Sequence, residues 1–203
     1  MFKRFTALSV AMSAALLAST SANAVVITLD NISGSWQNTV GGSNVNTSGS
    51  DPAVIRWGNS TGEGQSGYSF NSYDPYAQFT LPPNPTSYVE LGTFTHMNNP
   101  ITGSAITSTQ LKLTTTLWVD SSNLGSKSFV FNFLHNETPN GGGGCCDDEV
   151  TFASNNSSST FSVGGVEYTL YLAGFSRDNG ATILSQFDSR EGGDRSAKLY
   201  GYI

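Results

Sequence analysis

The apolar residues of this chain stand in short runs that alternate with polar residues, and this period of two constrains the fold most strongly. In Phe129–Phe133 the three phenylalanines share one face of an extended chain, and Tyr168–Leu172 alternates in the same way. Gly164-Gly165 separates two such runs, which predicts a tight hairpin. No helical period persists after the first 24 residues. The pattern therefore predicts strands throughout.

Runs rich in β-branched and aromatic residues are separated by clusters of turn-forming residues, as is typical of strands. The candidate strands are Val25–Asp30, Ala53–Trp57, Gly67–Phe70, Ala77–Leu81, Tyr88–His96, Ile106–Val119, Ser128–His135, Glu149–Phe152, Thr160–Val163, Val166–Phe175 and Ala197–Ile203. About ten short strands predict an all-β protein, a single-domain antiparallel β-sandwich that is jelly-roll-like.

The composition agrees with hydroxyl-covered sheets. Charged residues are 12% of the 203 residues, about half the usual share. Ser (29), Thr (21) and Asn (17) are abundant, and Ser and Thr suit the solvent face of a strand. The net charge of −6 excludes a nucleic-acid partner bound through a basic face. Aromatic residues are 11%, which argues against disorder.

The first 24 residues read as a secretory signal peptide. Lys3 and Arg4 precede the apolar run Ala7–Leu17, and Ala22-Asn23-Ala24 forms an A-x-A cleavage site. We expect residues 25–203 to form the β-sandwich domain, with no membrane span in the mature chain, because no later run reaches about 18 apolar residues. The predicted location is secreted, extracellular or at the cell surface, with the periplasm as the alternative.

Several motifs together resemble a known family. The most specific is Thr95-His96-Met97-Asn98, within Leu91–Ile101. Others follow the same order along the chain: Arg56-Trp57-Gly58, Gln65–Phe70, Phe131–Asn140, Cys145-Cys146-Asp147 with Val150, Gly165 with Tyr168-Thr169-Leu170, Gly174-Phe175, Glu191, and Ala197-x-Leu199-x-Gly201. The chain resembles the exported bacterial proteins named for a Thr-His-x-Asn (THxN) motif, a branch of the choice-of-anchor K domain group.

That resemblance implies an exported, often surface-associated β domain, and it implies no catalytic residue. The usual members carry a C-terminal sorting helix with a Pro-Glu-Pro motif (PEP-CTERM), and this sequence ends before one. The resemblance therefore favours a freely secreted or self-assembling product.

The loop from Glu137 to Glu149 is a candidate Ca²⁺ site. Ca²⁺ binds six to eight oxygens, and glycines let backbone carbonyls turn inward. The candidate ligands around Gly141–Gly144 are Glu137, Asn140, Asp147, Asp148 and Glu149. The alternative is a solvated acidic loop. A second acidic segment, Asp188–Arg195, could also bind a cation, but it contains Arg190 and Arg195, so ion pairs within it are the favoured interpretation.

The two cysteines, Cys145 and Cys146, are adjacent. Export implies an oxidising setting, so a disulfide is expected. A vicinal bridge is strained, because neighbouring Cα atoms lie closer than ordinary disulfides require, but the flanking glycines absorb distortion. Intermolecular bridges and two free thiols are the alternatives.

His96 and His135 are the two histidines of the chain. His135 and Glu137 would share a face of a strand, so a site of His96, His135 and Glu137, for a metal or for acid–base chemistry, is conceivable. The favoured interpretation is that His96 makes a hydrogen bond within the sheet and packs beside Asn98.

Two features bear on partners. Trp36, Trp57 and Trp118 either stack on a polysaccharide or pack in the core, and core packing is favoured. Strands at both ends of the mature chain, with Tyr202 next to last, allow self-association by strand exchange. We therefore predict a non-enzymatic subunit of an extracellular matrix, cell surface or fibre, with Ca²⁺ as a structural ion. The alternatives are a carbohydrate-binding module and, last, an enzyme.

Overall fold

The computed structural model describes residues 24–81, 88–138, 147–154 and 156–203, with the side chains of residues 154–158 left out. All regular structure in these ranges is β, which confirms the predicted class. The strands are β1 (Val26–Gly41), β2 (Asn46–Ser48), β3 (Ala53–Trp57), β4 (Asn59–Ser60), β5 (Ser66–Ser72), β6 (Tyr76–Thr80), β7 (Val89–Asn98), β8 (Ile101–Thr102), β9 (Ile106–Val119), β10 (Ser122–Asn136), β11 (Asp148–Ser154), β12 (Asn156–Val163), β13 (Val166–Ser176), β14 (Phe187–Ser189) and β15 (Gly193–Tyr202). Within these ranges, no helix is long and apolar enough to cross a membrane.

The strands form two large antiparallel sheets, both of them curled. The first sheet has the order β14-β11-β10-β9-β1-β6, and the second has the order β12-β13-β15-β7-β5-β3-β2. A small third sheet pairs β4 with β8. Most neighbours within the two large sheets are not consecutive along the chain, so the fold depends on long-range pairing.

Every run predicted as a strand lies on a strand, and β3 and β9 have the predicted bounds. The fifteen strands of the described residues exceed the predicted number of about ten because β2, β4, β8 and β14 were missed. Each of these four has only two or three residues, too few to show alternation. The Gly-Gly hairpin is confirmed: Val163 pairs with Val166, and Gly164 and Gly165 have φ angles of 57° and 84°.

The inward residues of the two large sheets meet in one aromatic core. Phe94 of β7 stacks on Phe133 of β10 with ring centroids 5.7 Å apart, and Phe152 of β11 stacks on Phe175 of β13 at 4.9 Å. Both pairs join one sheet to the other. Burying a phenylalanine contributes about 1.5–3 kcal/mol, so these rings hold the two sheets together.

The two terminal strands lie inside the sheets rather than at their edges. The first residues of β1 pair with both β6 and β9, and β15 lies between β13 and β7. Antiparallel neighbours therefore pair with both sides of each, and neither strand is a free edge. Self-association itself stays a prediction.

Candidate metal centre

Two strands from opposite sheets carry a histidine at the next inward position after a core phenylalanine. On β7 the inward residues are Phe94, His96 and Asn98, and on β10 Phe133 is followed by His135. All are buried, since side chains two residues apart share a face of a strand. The two histidine rings meet edge to face, with centroids 5.3 Å apart. The interior thus changes from aromatic to polar at one end.

Strand pairing brings two acidic residues to the same end. Asp148 opens β11 next to β10, and it pairs with Ser189 on β14. The chain then turns back, and the backbone N–H of Gly192 donates to the carbonyl of Asn98 at 2.9 Å. Gly192 has a φ of 76°, a left-handed conformation that favours glycine. This contact holds Glu191 at the end of β7.

We call this region the polar end of the core. It consists of His96, Asn98, His135, Glu137, Asp148, Ser189 and Glu191.

Two groups of potential metal ligands overlap in the polar end. His96, His135 and Asp148 each offer a ligand atom, and these atoms lie within 4.8 Å of one another. The same limit holds for the carboxylate oxygens of Glu137, Asp148 and Glu191. Asp148 belongs to both groups, so five side chains converge on one small volume between the sheets.

Hydrogen bonds orient part of this cluster. The hydroxyl of Tyr68 lies 2.7 Å from Nδ1 of His135, whose Nε2 is 3.0 Å from Oε2 of Glu137. The backbone N–H and hydroxyl of Thr138 both donate to Oδ1 of Asp148, at 2.8 and 3.0 Å. These bonds leave Oδ2 of Asp148 without a partner.

Several other buried polar atoms of the polar end have no hydrogen-bond partner among the described residues. They are both ring nitrogens of His96, Oδ1 of Asn98, Oγ of Ser189, both carboxylate oxygens of Glu191 and the neighbouring indole Nε1 of Trp57. A buried polar group without a partner destabilises a fold by about 1–3 kcal/mol. A ligand bound among them would remove this penalty.

The pKa values respond to this crowding. Burial, and then the charges of Asp148 and Glu137, raise the pKa of Glu191 to about 7. Burial raises the pKa of Asp148, and the nearby Glu137 adds to that effect. Burial and the adjacent His135 lower the pKa of His96, so its imidazole is neutral. The carboxylates repel one another, and a cation among them would relieve that repulsion.

The structure separates the predicted Ca²⁺ ligands. Glu137 and Asp148 belong to the polar end, whereas Asp147 is exposed. Glu149 points away from the core and accepts a hydrogen bond from Nδ2 of Asn136 at 3.3 Å. The remaining predicted ligand, Asn140, and the predicted disulfide residues Cys145 and Cys146 lie outside the described residues.

Two interpretations of single residues are wrong. His96 is fully buried beside Asn98, but neither of its ring nitrogens makes the expected hydrogen bond. In the second acidic segment, neither Arg190 nor Arg195, both described, forms an ion pair with a carboxylate, and Glu191 turns into the core instead. Both errors have the same cause. The alternation of inward and outward residues carries His96 and Glu191 into the interior, whereas the sequence interpretation treats His96 as a packing residue and Glu191 as a surface charge.

Two of the three tryptophans follow the favoured interpretation. Trp36 and Trp57 are 5% and 0% exposed, so they pack in the core. The indole N–H of Trp36 donates across the sheets to the carbonyl of Ala53 at 3.1 Å. Trp118 is half-buried. Binding of a polysaccharide stays a prediction, but these three residues do not share one exposed platform.

Sequence reasoning missed Tyr68 as a member of the site, and it gave cation binding near Glu191 only as the less favoured interpretation of the second acidic segment. The pattern places Tyr68 on a strand, where it alternates with Phe70 on β5. The usable signal is the inward register of β7 and β10, which places His96 and His135 inside when it is extended past the phenylalanines. Glu191 follows two positions after Ser189, which itself follows Phe187 inward.

No model of a known protein family matches the chain, and no curated protein matches it either. The resemblance to the THxN-motif group therefore stays an expectation, although His96 and Asn98 of that motif both lie in the polar end.

Proposed function

We propose that the protein is an exported, non-enzymatic β-sandwich, jelly-roll-like in form, in which a divalent cation bound at the polar end joins the two sheets. It would serve as a subunit of an extracellular matrix, a cell surface or a fibre. One observation carries the proposal: in the described residues, two imidazoles and three carboxylates from both sheets converge there, and no Lys or Arg pairs with them.

Charge is the first argument. In the described part of the chain, Glu137 is the one carboxylate of the cluster with an ion-pair partner, and that partner is His135. No Lys or Arg of those ranges pairs with Glu137, Asp148 or Glu191. Burying several carboxylates together is strongly unfavourable unless they are protonated or bind a cation. A divalent ion would balance most of their charge.

Position is the second argument. His96 belongs to β7 of the second sheet, whereas His135 and Asp148 belong to β10 and β11 of the first. An ion bound by all three would connect the sheets directly. His96 and Asp148 are both 0% exposed. Structural metal sites are closed in this way, whereas catalytic sites keep an open position for water or substrate. Burial therefore favours a structural role over catalysis.

The sequence supports the extracellular role. Residues 1–24 have the pattern of an export signal, and the outward faces of the strands are rich in Ser and Thr rather than in charged residues. Facing aromatic residues such as Phe94 and Phe133 support the sandwich arrangement. Ca²⁺, the ion predicted from the sequence, is common outside cells and is the first candidate to test.

The test measures metal content and thermal unfolding of residues 25–203, purified without exposure to chelator. We expect about one bound ion per chain by elemental mass spectrometry. Returning the preferred cation to chelated protein, at about 100 times its Kd, should raise Tm by roughly 5–10 °C. Asp148→Asn should abolish that rise, because Asp148 belongs to both ligand groups.

Glu149→Gln is the matched control, since Glu149 neighbours Asp148 but faces outward. It should keep the rise in Tm. A Tm unchanged by chelator and by every divalent cation tested would refute the cation. Native mass measured with and without chelator, together with electron microscopy of the secreted material, tests the assembly role. A strict monomer that forms no filament or matrix would refute that part.

A further inference from the structure

We propose that the bound cation is a first-row transition metal of the Zn²⁺ type, held by His96, His135 and Asp148, rather than Ca²⁺. This inference rests on the proposed function, because it names the class of ion for the same site. It predicts that the motif Thr95-His96-Met97-Asn98 supplies a metal ligand.

The donor atoms favour this class. Imidazole nitrogen binds Zn²⁺, Cu²⁺, Ni²⁺ and Fe²⁺ well, whereas Ca²⁺ takes carboxylate, carbonyl and water oxygens. Zn²⁺ sites bind nitrogen and oxygen atoms at about 2.0–2.2 Å, so tetrahedral ligand atoms lie about 3.3–3.6 Å apart. The ligand atoms of His96, His135 and Asp148 already lie within 4.8 Å of one another. Shifts of about 1.5 Å or less would close the site.

The ring nitrogens of His96 are available to a metal. The side chain is 0% exposed, and neither nitrogen has a hydrogen-bond partner in the described part of the chain. Its ring stacks on Trp57 at 6.0 Å and meets Tyr68 edge to face at 5.1 Å, so neighbouring rings hold it in place. Burial keeps the pKa of His96 low, and the neutral imidazole has a free lone pair for a metal.

His135 has the outer partner that metal-binding histidines usually have. The hydroxyl of Tyr68 is 2.7 Å from Nδ1. When Nε2 binds a metal, Nδ1 carries the proton and donates it to the oxygen of Tyr68, which fixes the ring. Burial holds the pKa of Tyr68 well above its usual value, so its oxygen stays a neutral hydroxyl.

A fourth ligand is within reach. Oε2 of Glu137 lies 3.0 Å from Nε2 of His135 and in ligand range of Asp148. When a metal binds Nε2, the imidazole proton resides on Nδ1 instead of Nε2, so Glu137 loses this hydrogen bond and can turn its carboxylate to the ion. Two imidazoles and two carboxylates would then complete a closed, four-coordinate site.

The test titrates chelated, re-dialysed protein with Zn²⁺, Co²⁺ and Ca²⁺ separately, by calorimetry and visible absorption. We expect Zn²⁺ to bind at least 100-fold more tightly than Ca²⁺. Co²⁺ should give the intense visible bands of a tetrahedral site, and Zn²⁺ should remove them. His96→Gln should weaken Zn²⁺ binding at least 100-fold, whereas Glu149→Gln should leave it unchanged.

Tyr68→Phe keeps the ring and all direct ligands, so it covers the case in which His96→Gln does not fold. It should weaken Zn²⁺ binding about 10-fold, as expected for an outer partner. Tight Ca²⁺ binding without Zn²⁺ binding would overturn this inference and leave the proposed function standing. Binding of neither ion would overturn both. Zn²⁺ binding that His96→Gln and Tyr68→Phe both leave unchanged would overturn the ligand assignment.

Discussion

The aromatic body of the core and its polar end are built on the same strands. They differ in how many of their buried groups find packing or hydrogen-bond partners among the described residues. β7, β10, β11 and β14 each contribute to both regions. Phe94 precedes His96 on β7, and Phe133 precedes His135 on β10, each by one inward step. The pleat of a strand points both residue types inward. Two residues further along the strand, the interior therefore changes from aromatic to polar.

The contacts of the two regions show the consequence. In the body, Phe94 touches Phe133, Phe175 and Phe187 at centroid distances of 5.7, 5.3 and 5.3 Å. At the polar end, the described residues offer no hydrogen-bond partner to the two nitrogens of His96 or the two carboxylate oxygens of Glu191. Aromatic rings complete their packing with one another, whereas buried polar atoms need specific partners. The rings of the body therefore satisfy one another, whereas the polar end holds atoms that a bound cation would satisfy.

The largest effect should come from the body. Phe133→Ala should lower the free energy of unfolding by about 3–5 kcal/mol, because it removes a buried ring and leaves a cavity. Urea denaturation measures the change, which should be the same with chelator and with cation. Leu134→Ala is the control: Leu134 is the next residue, is 40% exposed and should lose far less. If the loss of unfolding free energy in Phe133→Ala depended on the cation, the aromatic body would not be independent of the polar end.

The next largest effect is that of His96→Leu on stability, and its sign should depend on whether the cation is present. His96→Leu removes two unpartnered nitrogens, so in chelator the stability should stay equal or rise by about 1 kcal/mol. With the cation, the variant should be about 2–3 kcal/mol less stable than wild type, because it lacks the stabilisation by binding. Thermal unfolding under both conditions checks this. Equal losses in chelator and in cation would show that His96 serves packing alone.

A smaller effect concerns pH in the chelated protein. The pKa of Glu191 is about 7 in the folded state and near 4.5 when unfolded, so the folded state holds its proton to higher pH. Stability from this group is complete below pH 4.5 and is lost as pH rises to about 7. Partial solvent screening limits the loss to about 1–2 kcal/mol.

Glu191→Gln should remove this part of the pH dependence, which unfolding midpoints between pH 4.5 and 7.5 measure. Asp194→Asn, at an exposed position nearby, should keep it. An identical pH profile for wild type and Glu191→Gln would contradict the raised pKa of Glu191.

The smallest effect should be that of Glu149→Gln on stability. Its side chain points away from the core, so a change below about 0.5 kcal/mol is expected in chelator and in cation alike. The same urea titrations check it. A loss of cation-dependent stability in this variant would move the ion from the polar end to the loop predicted from the sequence.

Most of the fold could be predicted because alternation is local. The phenylalanines of Phe129–Phe133 and the hairpin at Gly164-Gly165 lie where their patterns place them. The four short strands could not be found, since two or three residues carry no period. Of the site, Glu137 and Asp148 are predicted as ligands of a loop site, and His96, His135 and Glu137 as a second, less favoured site. That the two groups share one volume depends on how the sheets pack, which the sequence does not specify.

The sequence by itself determined the class of the fold and which faces of its strands point inward, because a period of two places alternate side chains on opposite faces. Only the tertiary structure decided which inward residues meet. The pairing of β7 with β15 brings Glu191 to the end of β7 that carries His96, and His96 reaches His135 because residues of the two sheets pack against each other. Such meetings depend on long-range strand pairing, which no local pattern of residues specifies.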